Sequence, residues 1–230
     1  MKLSQASLCS LVFLCMTFVS YQREAVAQAG SVWQARDCQT ISDCYAMAID
    51  KNQNKVRREE AIAKLARGGD DGLNALIRLL SASDANTVIP LSGKQFGIEV
   101  APGFVRWTAA QTLGDMRRSA MPASTTLANL MVSDPSTDVR QASAIALGKM
   151  GSRDQSVVRA LKGVLKSRDY YVWQGAAFAI GQLRPEDQEA VNLLRSLAHL
   201  TYQDVQSMRV DFNTSIAITN AVVEAKKALL

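Results

Sequence analysis

Val139-Arg140-Gln141-Ala142-Ser143-Ala144-Ile145-Ala146-Leu147-Gly148 is the stretch that decides the fold. Read at the helical period, Val139, Ala142, Ala146 and the following Met150 fall on one face, and Ala144 with Leu147 on a second. A helix apolar on two sides predicts two packing neighbours. The phrase recurs upstream as Val105-Arg106-Trp107-Thr108-Ala109-Ala110-Gln111-Thr112-Leu113-Gly114 and downstream as Val172-Trp173-Gln174-Gly175-Ala176-Ala177-Phe178-Ala179-Ile180-Gly181, so the closing glycines lie 34 and then 33 residues apart. A fixed period of this size marks a solenoid, in which each unit buries its apolar faces only against its neighbours. Ala110, Ala144 and Ala177 permit close helix approach. Gly114, Gly148 and Gly181 stand where any side chain would hold paired helices apart, at a helix-propensity cost of about 1 kcal/mol each.

Around this helix the rest of a unit can be read. Asp134-Pro135 makes a turn, Asp138 is the expected N-cap, and Gly151 is placed to end the helix in a left-handed conformation. A second amphipathic helix follows in each copy. In the last full copy Pro185 suits its first position, with Glu186 and Asp187 at the positive end of the dipole, and Pro122 opens the equivalent helix two repeats earlier. Upstream, Arg57 to Leu65, a turn through Gly68 to Gly72 holding Asp70 and Asp71, and Leu73 to Leu80 form a further hairpin, which makes four units. Beyond His199 the pattern loosens into a terminal helix at about 213–229, expected to cap the stack.

These residues resemble the HEAT-like repeats first associated with phycobilisome lyases, whose units carry Asp-Pro, a Val-Arg pair, an Ala-rich stretch and Leu-Gly. The resemblance runs from residue 55 to about 200, and Asp134-Pro135, Val139-Arg140 and Leu147-Gly148 fit it best. It departs at Trp173, where the family has arginine, and at Ala66, where it has glycine. The resemblance implies an all-α fold, an α-solenoid of about four to five HEAT-like helical hairpins coiled into a right-handed superhelix and used as a protein-binding scaffold. It does not imply lyase activity.

The chain before the repeats reads differently. Met1-Lys2, the apolar run Leu8 to Val19 and the small residues Ala25-Val26-Ala27 form the three parts of a secretory signal peptide over residues 1–27, with cleavage after Ala29 as the other option. The apolar run is shorter than the ~20 residues a membrane span needs. Export, to the periplasm or the medium, is therefore expected, without stable membrane insertion once the signal is cut. Cys9 and Cys15 would leave with the signal, and Cys38 and Cys44 would remain in the lead-in of residues 28–54, an even pair that an oxidising compartment favours joining. Six residues apart, they cannot bridge within one continuous helix. A capping box at Thr40 and Asp43 would place Cys38 before the helix, free to fold back. The sharper alternative is a redox or metal role, but the chain has no Cys-x-x-Cys and one histidine.

No nucleophile elbow, zinc-protease helix, phosphate loop or metal-ligand cluster is present in the sequence, so neither a catalytic residue nor a cofactor is expected. Asp70 and Asp71 lack the alternating acids of a calcium loop. The 26 basic and 21 acidic residues give a net charge of +5, too modest to point to nucleic acid. Leu65 and Leu113 are 48 apart where later spacings are 33 or 34, which leaves an insertion over 83–104. Its alternating Val88, Ile89, Leu91, Phe96, Ile98 and Val100, broken by prolines and glycines, predict a short hairpin, either a binding loop or a flap over the first unit.

In the family the second helix of each unit lines the concave surface, so the resemblance makes its polar positions the candidate partner-binding residues: Arg78, Asn129, Arg159, Lys162, Lys166 and Arg195, with Phe96 from the insertion. Arg159, Lys162 and Lys166 fall on one side of one helix. They form either a basic strip for an acidic protein partner or an ordinary solvated face. The expected function is an exported, non-enzymatic protein-binding scaffold of the immunity or inhibitor type. The alternative is a lyase or isomerase acting on a protein-bound cofactor.

Overall fold

The computed structural model describes residues 38–83, 87–90, 97–100, 103–184 and 186–230, so the expected signal, Phe96 and Pro185 lie outside the described residues. Cys38 and Cys44 are joined, their Cα atoms 4.8 Å apart. Thr40 makes that closure possible as N-cap of α1 (Ile41–Ile49). Its hydroxyl accepts the Asp43 N–H while the Asp43 carboxylate accepts the Thr40 N–H, a reciprocal box that turns the chain just before the helix.

The first hairpin pairs α2 (Lys55–Leu65) with α3 (Gly69–Leu79). Asp70 and Asp71 are not in a turn, as expected, but in the first turn of α3, where the helix dipole favours acids. Strands β1 (Thr87–Pro90) and β2 (Gly97–Val100) pair antiparallel, Thr87 opposite Val100 and Pro90 opposite Gly97, as the alternation in the insertion predicts. The next unit is α4 (Phe104–Asp115), a 3-10 segment Arg117–Ala123 containing Pro122, and α5 (Ser124–Ser133). The third is α6 (Thr137–Met150) with α7 (Gln155–Lys166), and the fourth α8 (Tyr170–Leu183) with α9 (Gln188–Ala198). Short α10 (Tyr202–Ser207) leads into α11 (Phe212–Ala228).

Further helix starts differ from expectation: Pro122 does not open α5 but lies within the preceding 3-10 segment, and α5 starts at Ser124. Ser136, rather than Asp138, is the N-cap of α6, because Asp138 already lies in the first turn. Asp187 caps α9 through the N–H groups of Glu189 and Ala190, so that helix begins after Pro185 and Glu186. Gly151 does end α6 in the left-handed region, at φ 75°.

The first helices α2, α4, α6 and α8 stack in order, and α11 packs on α8 where a fifth first helix would stand. Helices α5, α7 and α9 stack beside them in the same order, and α1 packs on α2 and α3. All six apolar positions read on the two faces of α6 are buried. The glycines set the spacing of this layer. A Cβ on Gly114 would lie 2.9 Å from Ala146 Cα and one on Gly148 2.7 Å from Ala179 Cα, while Gly181 faces Ala228 of α11.

Arginines of the Val-Arg pairs staple one unit to the next. Arg106 forks onto Asp134, with Nε 2.7 Å from Oδ2 and Nη2 3.1 Å from Oδ1. Arg140 Nε reaches Asp169 Oδ2 at 2.7 Å. At the equivalent place Trp173 points its indole N–H back to the Val164 and Ser167 carbonyls, 3.1 Å from each, and so ties the end of α7 instead of a later unit. At the amino end, buried Arg58 donates from Nε to the Ala48 carbonyl at 2.9 Å, and its guanidinium lies 5.2 Å over the Phe104 ring.

Candidate functional site

Helix α7 buries Val157, Val158, Leu161, Val164 and Leu165 and so turns Arg159, Lys162 and Lys166 away from the core. Helix α9 stacks against it with Asp187 at the cap and Glu189 in its first turn. Lys162 Nζ lies 2.6 Å from Asp187 Oδ2 and 2.7 Å from Glu189 Oε2, and Lys166 Nζ pairs with the other oxygen of Glu189. The hydrogen bond to Lys162 holds the Asp187 carboxyl below the ordinary range, and Lys162 with Lys166 does the same to Glu189. Lys162 is raised in turn, first by Asp187 and then by Glu189. Two of the three cations expected to face a partner thus tie neighbouring units together.

Arg159 keeps no such partner. It lines a cavity of about 530 Å³ with Arg153, Arg184, Lys162, Glu186 and Asp187 around the buried Val158. Arg153 lies in the turn before α7, and Arg184 ends α8 at φ 41°, ψ 59°, a left-handed conformation taken by glycine at the end of α6. Among the described residues, none of the Arg153, Arg159 and Arg184 guanidiniums makes a hydrogen bond or ion pair.

This stack of hairpins has a match in sequence. Residues 124–209, from α5 through α10, match HEAT repeats. The helical hairpins of that stretch are HEAT-like repeats. The fold of the chain resembles that in the complex of CpcE and CpcF of phycocyanin lyase from Nostoc sp., at 17% identity and a TM-score of 0.50, over 85% of this chain and 68% of that one. Two engineered proteins align at 17% and 15% identity with TM-scores of 0.42 and 0.39, over 89% and 82% of this chain and 83% and 99% of theirs. No curated protein matches the sequence. At such identities the likeness concerns the fold alone.

The other candidate residues on the helical hairpins lie outside the cavity. Arg78 is exposed at the end of α3 with its guanidinium 4.3 Å over the Tyr45 ring, which links α3 to α1. Asn129 is exposed on α5, and its backbone carbonyl accepts the Ser133 hydroxyl at 2.8 Å. Arg195 is exposed on α9 and donates to Asn192 Oδ1 at 3.3 Å. Phe96 lies outside the described residues. The structure therefore brings Arg159 and Lys162 together, with Lys166 tied to their neighbour Glu189, and adds Arg153 and Arg184, which sequence reasoning missed. Aligning Arg184 with Gly151 carried the signal for one of them: a side chain where the previous unit has glycine. His199 is the exposed C-cap of α9. Among the described residues no cluster of His, Cys, Asp and Glu could hold a metal, and no helix is long and apolar enough to cross a membrane.

Proposed function

We propose that the chain is an exported, non-enzymatic scaffold that binds another protein through the concave face of its second helices, in the manner of an immunity or inhibitor protein. The observation that carries this reading is the cavity at the α7–α9 junction, whose three arginines are left without partners in a fold that elsewhere pairs Arg106 and Arg140 with aspartates. Unpaired guanidiniums on a helical stack are suited to recognition of a second macromolecule, since each has its forked donors free for a carboxylate and no internal ion pair to break on binding. The three-part pattern of residues 1–27 supports export.

The test is capture from the native host. Leu230 is exposed, so a carboxy-terminal affinity tag leaves the stack intact. The expected result is one stoichiometric protein from the envelope or medium, retained less well by Arg195→Glu combined with Asn129→Trp. Absence of any retained protein would overturn the scaffold reading, and full-length chain confined to the cytosol would overturn export. The alternative, a lyase or isomerase acting on a protein-bound cofactor, predicts a changed absorbance spectrum when the purified chain is mixed with a bilin. The scaffold predicts none.

A further inference from the structure

We infer that the cavity between α7 and the turn joining α8 to α9 is the pocket for an acidic peptide segment of the bound protein, with Arg153, Arg159 and Arg184 as its carboxylate receptors. This rests on the scaffold reading and specifies the chemistry of what the scaffold binds. Lys162 and Asp187 in the lining neutralise each other, which leaves three guanidiniums against the single carboxylate of Glu186, an excess of two positive charges. Each guanidinium can fork onto one carboxylate with two parallel hydrogen bonds. Three of them around one cavity favour several carboxylates carried on one chain over a single small anion. The volume, about 530 Å³, holds a few side chains, and Val158 supplies an apolar floor beneath their methylenes.

The backbone at the rim adds a second argument. Arg184 is held in a left-handed conformation that glycine adopts without strain and that disfavours any residue with a Cβ. Arg117 and Arg209 share this conformation at other helix ends, but of the three only Arg184 lines the cavity. The Lys162 bridge to Asp187 and Glu189 ties α7 to the start of α9, so the two sides of the cavity are held together before an occupant arrives.

The probe is fluorescein-labelled hexaglutamate, titrated against the full chain by fluorescence anisotropy, with labelled hexaglutamine as the uncharged control. Saturable one-to-one binding of hexaglutamate is expected. Arg153→Gln with Arg159→Gln should weaken it about tenfold or more, since two charge-assisted contacts are removed. Arg184→Gly should weaken binding while leaving the melting temperature unchanged or higher, a combination that misfolding cannot produce. Arg118→Gln, at an exposed arginine of the 3-10 segment outside the cavity, should change nothing. The inference is overturned if hexaglutamate fails to bind, if Arg118→Gln weakens binding as much as the cavity variants, or if citrate displaces the peptide at equal carboxylate concentration, which would mark a small-anion site. If the partner captured from the host is retained undiminished by the double glutamine variant, the scaffold reading stands and this pocket assignment falls. If hexaglutamate binds as described but no host protein is captured, the scaffold reading falls, and with it the assignment of the pocket to a bound protein, while the carboxylate-receptor role of the three arginines stands.

Discussion

Ser143 lies at the centre of the first-helix layer with no exposed surface, and its hydroxyl has no hydrogen-bond partner. The equivalent residues in the flanking copies are Ala109 and Ala176. A buried, unpartnered hydroxyl costs roughly 1–3 kcal/mol, so Ser143→Ala should stabilise the chain by about 1 kcal/mol in urea melts. Arg106 is the opposite case. Its pair with Asp134 is 11% and 2% exposed, and truncation to alanine would strand a buried carboxylate at a cost of about 3 kcal/mol. Arg140→Ala should cost less, because its pair with Asp169 is 18% and 30% exposed. The arginines were legible in the repeated Val-Arg phrase, but their partners were not. Each aspartate stands 28 or 29 residues further on, and only the stacking of units brings it within reach. The same holds for Lys162, whose sequence surroundings show a basic strip while its acids come from the next hairpin.

At the scale of the element, two glycines on neighbouring helices should respond in opposite ways. Gly163 of α7 has open space where a Cβ would go, so Gly163→Ala should stabilise by about 0.5–1 kcal/mol through helix propensity alone. Gly148 of α6 faces the backbone of α8, so Gly148→Ala should destabilise by about 1–3 kcal/mol despite the same propensity gain. Thermal melts of the two variants check the pair. The α7–α9 junction has its own pH signature. Asp187 and Glu189 are depressed, so their contribution is complete above the unfolded carboxylate values near 4 and is lost as pH falls through the lower folded values. Lys162 is raised, so its contribution is complete below the unfolded lysine value near 10.4 and is lost only as pH rises through the folded one. Between about pH 5 and 10 the junction is at full strength. Amide exchange in α9, corrected for intrinsic rates, should therefore accelerate relative to α6 as pH is lowered from 5 to 3. Helix ends were the part of each element that sequence placed least well, as at α3 and α9, because dipole and cap can be satisfied by several adjacent acids.

For the whole molecule, periodicity conveyed most of the architecture, since the closing glycines that recur in sequence are the ones that touch the next helix in space. The strand hairpin and the cystine were legible for similar local reasons, alternation in one case and a capping box in the other. The cavity was not, because its walls come from two units and the turn between them. One feature of the third hairpin reaches beyond the present chain. It carries both halves of its own joint: Ala146 receives Gly114 and Gly148 meets Ala179, while Arg140 reaches forward to Asp169. A second copy of residues 137–169 spliced in after Asp169 would meet the first through those same contacts, so the lengthened protein should fold and melt no lower than the parent. Copy number is then a quantity that tandem duplication can change without redesigning an interface. Duplication of the fourth hairpin should be tolerated less well, because Trp173 spends its one donor backward and offers the newcomer no staple.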